Sequence, residues 1–421
     1  MSMKISYKKI HLFLSIFIML WINSGNFDYI VNKIPAVIKV GLTLTWFIIS
    51  NYLHKDFLVR YIKKSWVMLI FVLAVIISKI VWANEALYFK QFFMSYAYCL
   101  ILLAMYIYYF YYGTKQYIKI MLLIFFADIA IVIIHTYFEL LTNPIVARAI
   151  STSVEFQEKL LGGKKLVGIG GYGLCYQIIF LPIIIEYMFY RKKYNFLKYG
   201  IYMFGAIFLF KAQITMALLL YIFSVAIMSF ILDTKKRKDY IFKIILLILT
   251  IYICFYYQEI LLSVAQLASN DLRTRILELI EFDGIKNATD GDIGARVRLY
   301  TMSLLAFVEN PIIGILGKSG YGSHSTFLDL LGGFGLVGIL GIVGLLSPML
   351  AMKKLVKKDT NLKRMSIIAI VIFSILSCLN VSTSSEILSM VLFILPIVFK
   401  YFYFRKEGRT RKRYKRIIYS C

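Results

Sequence analysis

The sequence predicts an all-α integral membrane protein: a single polytopic domain over residues 1–421, with about 12 transmembrane helices and two large extracytoplasmic loops. Hydrophobic residues make up 60% of the 421 residues and charged residues only 17%, whereas soluble domains are about 45–50% apolar and about 25% charged. Apolar runs of roughly 20 residues, the length that spans a hydrocarbon core of about 30 Å, recur along the whole chain. The basic residues between these runs are unequally distributed, which gives the third indication.

Twelve apolar segments are predicted, with boundaries defined to within a few residues. If the N-terminus is cytoplasmic, the connections between the segments alternate between the two sides of the membrane. The segments are 10–24, 34–53, 66–83, 92–112, 118–138, 173–190, 199–211, 214–232, 241–258, 333–351, 366–382 and 387–404.

The positions of the Lys and Arg residues support this topology. Connections predicted to be cytoplasmic carry 30 of them, and connections on the opposite side carry 13 although they include both long loops. This bias satisfies the positive-inside rule, so both termini are predicted to be cytoplasmic. The net charge of +26 and the basic tail RKEGRTRKRYKR are then explained by contact with the anionic headgroups of the lipid bilayer. Nucleic acid is not expected as a partner.

Two long connections are predicted to face outward, 139–172 and 259–332. Long loops in compact proteins are commonly functional or disordered, and the second loop is too patterned for disorder. Its stretches LRTRILELIEF and ARVRLYTMSLLAFVEN have the pattern of amphipathic helices, and NPIIGILGKSGYG has that of a turn-rich connection. An amphipathic helix on the outer membrane surface is expected to roof a cavity.

The second loop also concentrates the residues that carry chemistry. Arg296, Arg298, Lys318 and His324 fall within about 30 residues, directly before an apolar segment. Arginine forms bidentate, permanently charged contacts with phosphate, and a histidine accepts a proton near neutral pH. This combination suits a reaction in which a hydroxyl is deprotonated and attacks a carbon whose leaving group is a lipid-linked diphosphate.

The same region resembles the bacterial O-antigen ligase and O-antigen (Wzy-type) polysaccharide polymerase superfamily. That family commonly has an Arg four residues before an aromatic residue, a Pro- and Gly-containing turn, and a His followed by a small polar residue. Nine further positions lead to G-x-x-G. In this chain the pattern falls on Arg296, Tyr300, Asn310, Pro311, Gly314, His324, Ser325, Gly335 and Gly338.

The resemblance implies an inverting, metal-independent membrane glycosyltransferase with a GT-C-like fold, no cofactor and a site outside the bacterial cytoplasmic membrane. Its substrates would be undecaprenyl-diphosphate-linked oligosaccharides, and its partners a flippase and a chain-length regulator. His324 would activate the hydroxyl of the receiving sugar and Arg296 would bind the diphosphate, with Arg298 as a second candidate. Gly335 and Gly338 belong to a series of glycines that is expected to let helices pack closely.

Two positions depart from the family pattern. Polymerases often carry an Arg in the first outward loop with a Gly after fifteen intervening residues; here Arg148 is the only arginine of that loop, and fourteen residues lie between it and Gly163. The family also often has a Ser-Arg pair before its eighth helix, where this chain has Lys211 and Gln213. Arg148 is interpreted as substrate-binding, and Lys211 either as substrate-binding or as a snorkelling lysine.

Several other polar residues have ordinary interpretations. Asp290 and Asp292 form a D-x-D pair of the kind that holds a metal in other glycosyltransferases, but the pair is also an ordinary turn and no third ligand is spaced to complete a site. No metal is therefore expected. Asp128 and Glu186 lie inside apolar runs and are interpreted as helix-pairing residues, with substrate binding as the alternative. The same packed or interfacial interpretation applies to His11, His54 and His135.

Three functions are therefore compared. The first is a polymerase that transfers a growing capsule or O-antigen glycan from undecaprenyl diphosphate to a lipid-linked repeat unit. The second is a ligase that transfers the finished glycan to lipid A core, which shares the motif. The third is a flippase or another transporter, which should show internal repeats and broken helices near the midplane. The sequence has no such repeat, and its polar residues concentrate in the outward loops.

Overall fold

The computed structural model describes residues 6–23, 33–81, 89–150, 168–189, 195–231, 291–318, 320–355 and 360–403, together with a few single positions between 259 and 277. Most of the described residues are helical, and they contain no β-strand. The predicted segment 241–258, most of the helix expected from LRTRILELIEF and half of the first outward loop lie outside the described residues.

The helices are numbered in chain order, and the first five are long and joined by short turns where the connection is described. They are α1 (Tyr7–Asn23), α2 (Ala36–Leu53), α3 (Phe57–Val81), α4 (Phe89–Tyr111), α5 (Lys115–Thr142), α6 (Val146–Ala149), α7 (Tyr172–Ile178), α8 (Leu181–Phe189), α9 (Asn195–Lys211), α10 (Thr215–Ile231), α11 (Gly291–Glu309), α12 (Thr326–Leu355), α13 (Thr360–Leu379) and α14 (Ser385–Leu388). A π-helical turn, Ser389–Ile394, follows α14, and helix then continues to residue 403.

Seven helices of the described part are long and apolar enough to cross a membrane: Ala36–Leu53, Phe57–Val81, Phe93–Tyr111, Lys115–Thr142, Thr326–Lys353, Thr360–Leu379 and Ser385–Tyr403. The all-α membrane class is therefore confirmed. The last of these helices is the most enclosed, with 83% of its residues buried against 17% in Ala36–Leu53. The chain thus packs around its own C-terminal helix, and α2 lies at the periphery with apolar side chains such as Val37 exposed.

Two predicted segments differ from the observed helices: one is divided into two helices, and the other begins earlier than predicted. The predicted segment 173–190 is divided into α7 and α8, with a turn at Ile179 and Phe180 and Pro182 in the first turn of α8, a position that proline tolerates. Helix α12 begins at Thr326 and not at residue 333, so its first two turns, TFLDLLG, extend the predicted apolar segment toward His324 and include the carboxylate of Asp329.

Helix α12 is broken at Gly335, where the backbone has φ 58° and ψ −138°. The turn after α11 supplies hydrogen-bond partners for peptide groups that the break leaves without partners inside the helix. The N–H of Leu336 donates to the carbonyl of Pro311 (2.8 Å), and the N–H of Gly317 donates to that of Gly333 (2.8 Å). Because an unpaired peptide group in apolar surroundings costs several kcal/mol, this docked turn makes the break possible.

The glycine series therefore has two roles, because Gly335 permits the left-handed backbone of the break as well as close packing. A Cβ at 335 would lie 2.5 Å from the carbonyl oxygen of Pro311, and the positive φ favours glycine in any case. Gly338 allows the two parts of α12 to pack closely on each other, because a Cβ at that position would lie 2.0 Å from the carbonyl oxygen of Leu330. Gly344 acts in close packing as expected, with α3 directly beside it.

Candidate functional site

The loop that carries His324 is fixed by the carboxylate of Asp329. Ser325 is the N-cap of α12: its side-chain oxygen accepts from the N–H of Leu328 (3.3 Å), and its own N–H donates to Asp329 Oδ2 (2.9 Å). Ser303 of α11 donates to Asp329 Oδ1 (2.6 Å). Asp329 is 4% exposed, so this buried carboxylate joins α11, α12 and the His324 loop.

Tyr300 brings the helix that carries the arginines against His324. Its ring centroid lies 6.2 Å from that of the imidazole, and its hydroxyl donates to the carbonyl of Leu379 (2.6 Å) at the end of α13. Ser323, which directly precedes His324, has φ 55°, a left-handed conformation that non-glycine residues rarely adopt. The aromatic residue of the motif thus lies beside the histidine of the motif, and it is about one helical turn after Arg296 on α11.

His324 opens onto a cavity of about 630 Å³. The cavity lies where the ends of α1 and α13 and the starts of α2, α7 and α14 meet, and the middle of α5 closes it on one side. Aromatic residues such as Trp21 and Tyr98 form part of its wall. Its polar lining includes Asn23, Asp128, Gln177, His324, Asn380 and Glu386. A cavity of this size and mixed lining is suited to a ligand with many hydroxyl groups and an apolar ring face.

The two predicted phosphate-binding arginines lie differently. Arg296 is half-buried and close enough for its charge to act on Tyr176, which lines the cavity and accepts a hydrogen bond from Asn380 Nδ2 (2.5 Å). Arg298 is exposed. Arg296 is therefore the cation of α11 that lies at the cavity, although it is not part of the lining itself. Lys318 is half-buried in the turn that docks on α12.

The remaining predicted substrate-binding residues lie outside the lining. Arg148 is half-buried in the short helix α6, two residues before Ile150, which does line the cavity. Lys211 is exposed at the end of α9. At the same turn Gln213 is 7% exposed and has φ 58°, so glutamine and not lysine is the buried polar residue there.

The ordinary interpretations agree with the structure for several residues. Glu186 forms an ion pair with Lys198 (2.9 Å) and accepts a hydrogen bond from Tyr202 (2.8 Å), which joins α8 to α9. His11 is packed and hydrogen-bonded to Ser50 (2.8 Å).

The other polar residues with packed, interfacial or helix-pairing interpretations, His135, His54 and Asp128, differ in how far they are buried. His135 is exposed on α5. His54 stacks on Tyr112 at 4.1 Å, and burial lowers the pKa of its imidazole. Asp128 pairs helices and also lines the cavity: Asn23 of α1 donates to it at 3.4 Å.

A metal site is not found among the described residues, where no group of three His, Cys, Asp or Glu side chains comes together. Asp290 of the D-x-D pair lies outside these residues.

A scan against models of known protein families matched none, and a search of curated proteins also found no match. The resemblance to the O-antigen superfamily therefore rests on the sequence motif between Arg296 and Gly338 alone.

The sequence did not single out Glu386, Gln177, Asn23 or Asp329. Gln177 lies near the end of α7 between Tyr176 and Ile178, and Glu386 lies at the start of α14 directly after a run of serine and threonine residues. Asp329 had a usable signal, because a carboxylate four residues after an N-cap serine resembles a capping box. The grouping of the other three depends on helices that are distant in sequence, and no spacing rule reports it.

Proposed function

We propose that this protein is a polysaccharide polymerase that transfers a growing glycan from undecaprenyl diphosphate to the sugar hydroxyl of a lipid-linked repeat unit. The observation that carries the proposal is the position of His324 in the wall of the cavity of about 630 Å³, beside the helix that presents Arg296. The proposed base thereby faces a space large enough for sugar rings, and the proposed phosphate-binding cation lies close to Tyr176 in the wall of that space. The positive-inside bias supports a site on the outer side of the membrane.

In the proposed reaction, an imidazole nitrogen of His324 removes the proton from the attacking hydroxyl. The hydroxyl oxygen forms a bond to the anomeric carbon as the bond from that carbon to the diphosphate oxygen breaks. The electron pair leaves with undecaprenyl diphosphate, whose developing charge Arg296 stabilises. Attack from the face opposite the leaving group inverts the anomeric configuration. Asp329 acts as a positioning residue, because it fixes the loop that presents His324.

A transporter is the second candidate, since the break in α12 is a feature of secondary transporters. In such proteins the unwound peptide groups face a cavity and coordinate the cargo. Here Leu336, Gly317 and Ile315 donate to Pro311, Gly333 and Gly332 respectively, so these peptide groups of the break are used within the protein. This pairing favours the enzyme over the transporter.

The test expresses the His324→Ala variant in a strain from which the chromosomal gene for this protein has been deleted. We expect chain extension to fall by about 10²–10⁴-fold, the usual contribution of a general base, while single repeat units accumulate on the lipid carrier. His135→Ala is the matched control, because it removes an exposed imidazole from α5. Polymer length is read from gels, and membrane insertion from the amount of full-length protein.

Three results would contradict the polymerase. Polymer of normal length from His324→Ala would show that His324 is not the base. Full-length polymer that remains on the carrier would identify the ligase. Repeat units that remain on the cytoplasmic side would identify a flippase.

A further inference from the structure

The cavity has a cation that does not belong to the motif region. Lys39 is the one Lys or Arg among the described residues of the lining. Its side chain is half-buried in the first turn of α2, and its ammonium lies 5.8 Å from the ring centroid of Trp21 in the last turn of α1. Trp21 also lines the cavity and packs edge-on against Tyr98 of α4 at 5.9 Å. Lys39 therefore lies beside a ring that two helices hold in place.

The position of Lys39 on α2 distinguishes it from a lysine that extends to the membrane surface. Residues 39, 43, 46 and 50 follow one another at helical spacing, so they share one face of α2. Thr43, Trp46 and Ser50 are buried on that face, which directs Lys39 toward the interior of the bundle. A charged side chain on the inward face of a membrane helix is costly and indicates a partner or a function.

The ammonium of Lys39 is not neutralised by the cavity itself. In the described part of the chain, neither carboxylate of the lining, Asp128 or Glu386, forms an ion pair with it. Asp128 accepts instead from Asn23 (3.4 Å). An ammonium has three N–H donors, so the ring of Trp21 on one side leaves donors for an anion that enters the cavity.

The start of α2 gives lipid access to this cation. Val37, Ile38 and Val40 are the neighbours of Lys39 in its turn, and all three are exposed. Because α2 is one of the helices long and apolar enough to cross a membrane, these side chains are expected to contact lipid. An apolar chain lying on them can place a charged head group at Lys39.

The proposed reaction has two lipid-linked substrates, and each carries a diphosphate. In the donor, the diphosphate is bonded to the reacting anomeric carbon, so it must lie close to His324. In the acceptor, the diphosphate is at the opposite end of the repeat unit from the attacking hydroxyl. A cavity that holds both substrates therefore needs a second cation, at a distance from the first. Arg296 is on α11 and Lys39 is on α2.

We propose that Lys39 binds the diphosphate of the acceptor's lipid carrier, which enters over the exposed start of α2. The inference rests on the proposed function for the identity of the carrier. The repeat unit extends from Lys39 through the cavity, past the aromatic rings of Trp21 and Tyr98, and its terminal hydroxyl reaches His324. The donor diphosphate lies near Arg296, so both carriers are bound at the same time.

Binding is measured with farnesyl diphosphate, which has the diphosphate and the apolar chain of the carrier and no sugar to transfer. The full-length protein is placed in nanodiscs of phosphatidylcholine, a lipid without net charge, and empty nanodiscs correct for partition into lipid. At saturation we expect two molecules of radiolabelled farnesyl diphosphate per chain. Lys39→Gln and Arg296→Gln should each bind one, because each removes the cation of one site.

Three further variants assign the lost site to the charge of Lys39. Lys39→Arg keeps the cation and should bind two molecules. Lys39→Met keeps the length and the apolar stem and should bind one, which also decides the question should Lys39→Gln fail to insert. Lys33→Gln is the matched control, because Lys33 is an exposed lysine close to the start of α2 and is not part of the lining. It should bind two molecules.

The entry over α2 is tested by chain length. Replacing Val37 and Ile38 together with Ser should weaken farnesyl diphosphate at the Lys39 site about tenfold, because it removes apolar contact area. Binding of dimethylallyl diphosphate, whose chain is one isoprene unit, should change less. Ile131 and Ile134 of α5 are also exposed, and replacing both with Ser is the control. An equal loss in this control would refute entry over α2.

The phosphate of an ordinary lipid head group offers the same chemistry, so a second arm adds phosphatidylglycerol to the nanodiscs. We expect two molecules of farnesyl diphosphate to remain bound per chain, because the diphosphate carries more charge than the single phosphodiester. Loss of one molecule in the presence of phosphatidylglycerol would identify Lys39 as a general lipid head-group site and overturn the proposal.

The inference and the proposed function fail in different ways. Two bound molecules in both Lys39→Gln and Lys39→Met, or one in Lys33→Gln, would overturn the role of Lys39. If His324→Ala still makes polymer of normal length but binding depends on Lys39 as described, the transferase proposal falls and the carrier site stands. If His324→Ala abolishes polymer and the wild type binds one molecule at Arg296 alone, the transferase stands and the carrier site falls.

Discussion

Two buried polar clusters contact the two ends of helix α1, and they differ in how their hydrogen bonds close. Near the start of α1, His11 donates through Nε2 to Ser50 (2.8 Å), because the hydroxyl of Ser50 is itself committed to the carbonyl of Trp46 (2.7 Å). Ser15 receives donors from Trp46 Nε1 (2.7 Å) and Tyr109 (2.8 Å) and donates to the carbonyl of His11 (2.7 Å). Every polar group named here has its partner within the protein.

At the other end of α1, the cluster of Asn23, Asp128 and Gln177 opens onto a cavity. Its donors are used internally, and Gln177 Oε1 remains without a partner in the described part of the chain. Both clusters lie beside aromatic rings and both include a residue of α1, so composition does not separate them. The difference is that the first cluster closes its hydrogen bonds within the protein, whereas residues of the second also line a cavity; an acceptor left without a donor there is costly unless water or a ligand supplies one.

The largest effect on activity in this comparison is expected from Arg296, the proposed phosphate-binding residue near the cavity. Arg296→Ala should lower kcat/KM for the lipid-linked donor by about 10–100-fold, because a hydrogen bond to a charged group contributes about 1.5–3 kcal/mol. Repeat units extracted from the deletion strain serve as substrate. Arg298→Ala should have a clearly smaller effect, since Arg298 is exposed. Equal losses from the two variants would mean that the charge of α11 acts as a whole and not through Arg296.

The closed cluster should respond in stability and not in activity. His11→Ala removes the donor to Ser50 and the ring that packs on Tyr108 at 4.0 Å, so we expect it to lower the free energy of unfolding by about 2 kcal/mol. Denaturant titration in nanodiscs measures that change. Activity per folded molecule should remain that of the wild type, because the cavity lies at the other end of α1. A loss of activity at unchanged stability would contradict the distinction between the clusters.

Most of the fold could be predicted, because apolar runs and the positive-inside bias are local signals. Seven of the helices that these signals indicate are present and long enough to cross a membrane. The break in α12 could not be read in the same way. A glycine at 335 is compatible with close packing or with a left-handed backbone, and only the docking of the turn at Pro311 decides between them.

The candidate site was predicted in its motif half and not in its cavity half. His324 and Tyr300 were both singled out by the sequence motif, and the structure places the loop that carries His324 beside the helix that carries Tyr300. Glu386 and Gln177 are more than 200 residues apart, yet Gln177 donates to the carbonyl of Glu386. Such contacts arise from the packing of α7 against α14, which no periodicity in the sequence encodes.

Asp329 gives the next test, because it connects the open site to the scaffold. Asp329→Asn removes the charge and replaces one acceptor by a donor, so the hydrogen bonds from Ser303 and Ser325 cannot both keep their present direction. We expect kcat to fall about tenfold, consistent with the loss of about one hydrogen bond, while KM for the donor stays constant since the cavity lining is intact. Ser303→Ala should give a smaller decrease. An equal rise in KM would show a general structural effect instead of misplacement of His324.

The smallest expected change in the free energy of unfolding tests whether the polar groups of the closed cluster satisfy each other's hydrogen bonds. Trp46→Phe removes one donor to Ser15, but Tyr109 still supplies the other, so the cost should be about 1 kcal/mol. Tyr109→Phe should cost a similar amount. The double variant leaves the Ser15 oxygen without either donor, and we expect its cost to exceed the sum of the two, as measured by denaturant titration. It would create in the closed cluster the condition that Gln177 Oε1 has naturally, and a merely additive loss would mean that an unsatisfied acceptor carries no special cost in this bundle.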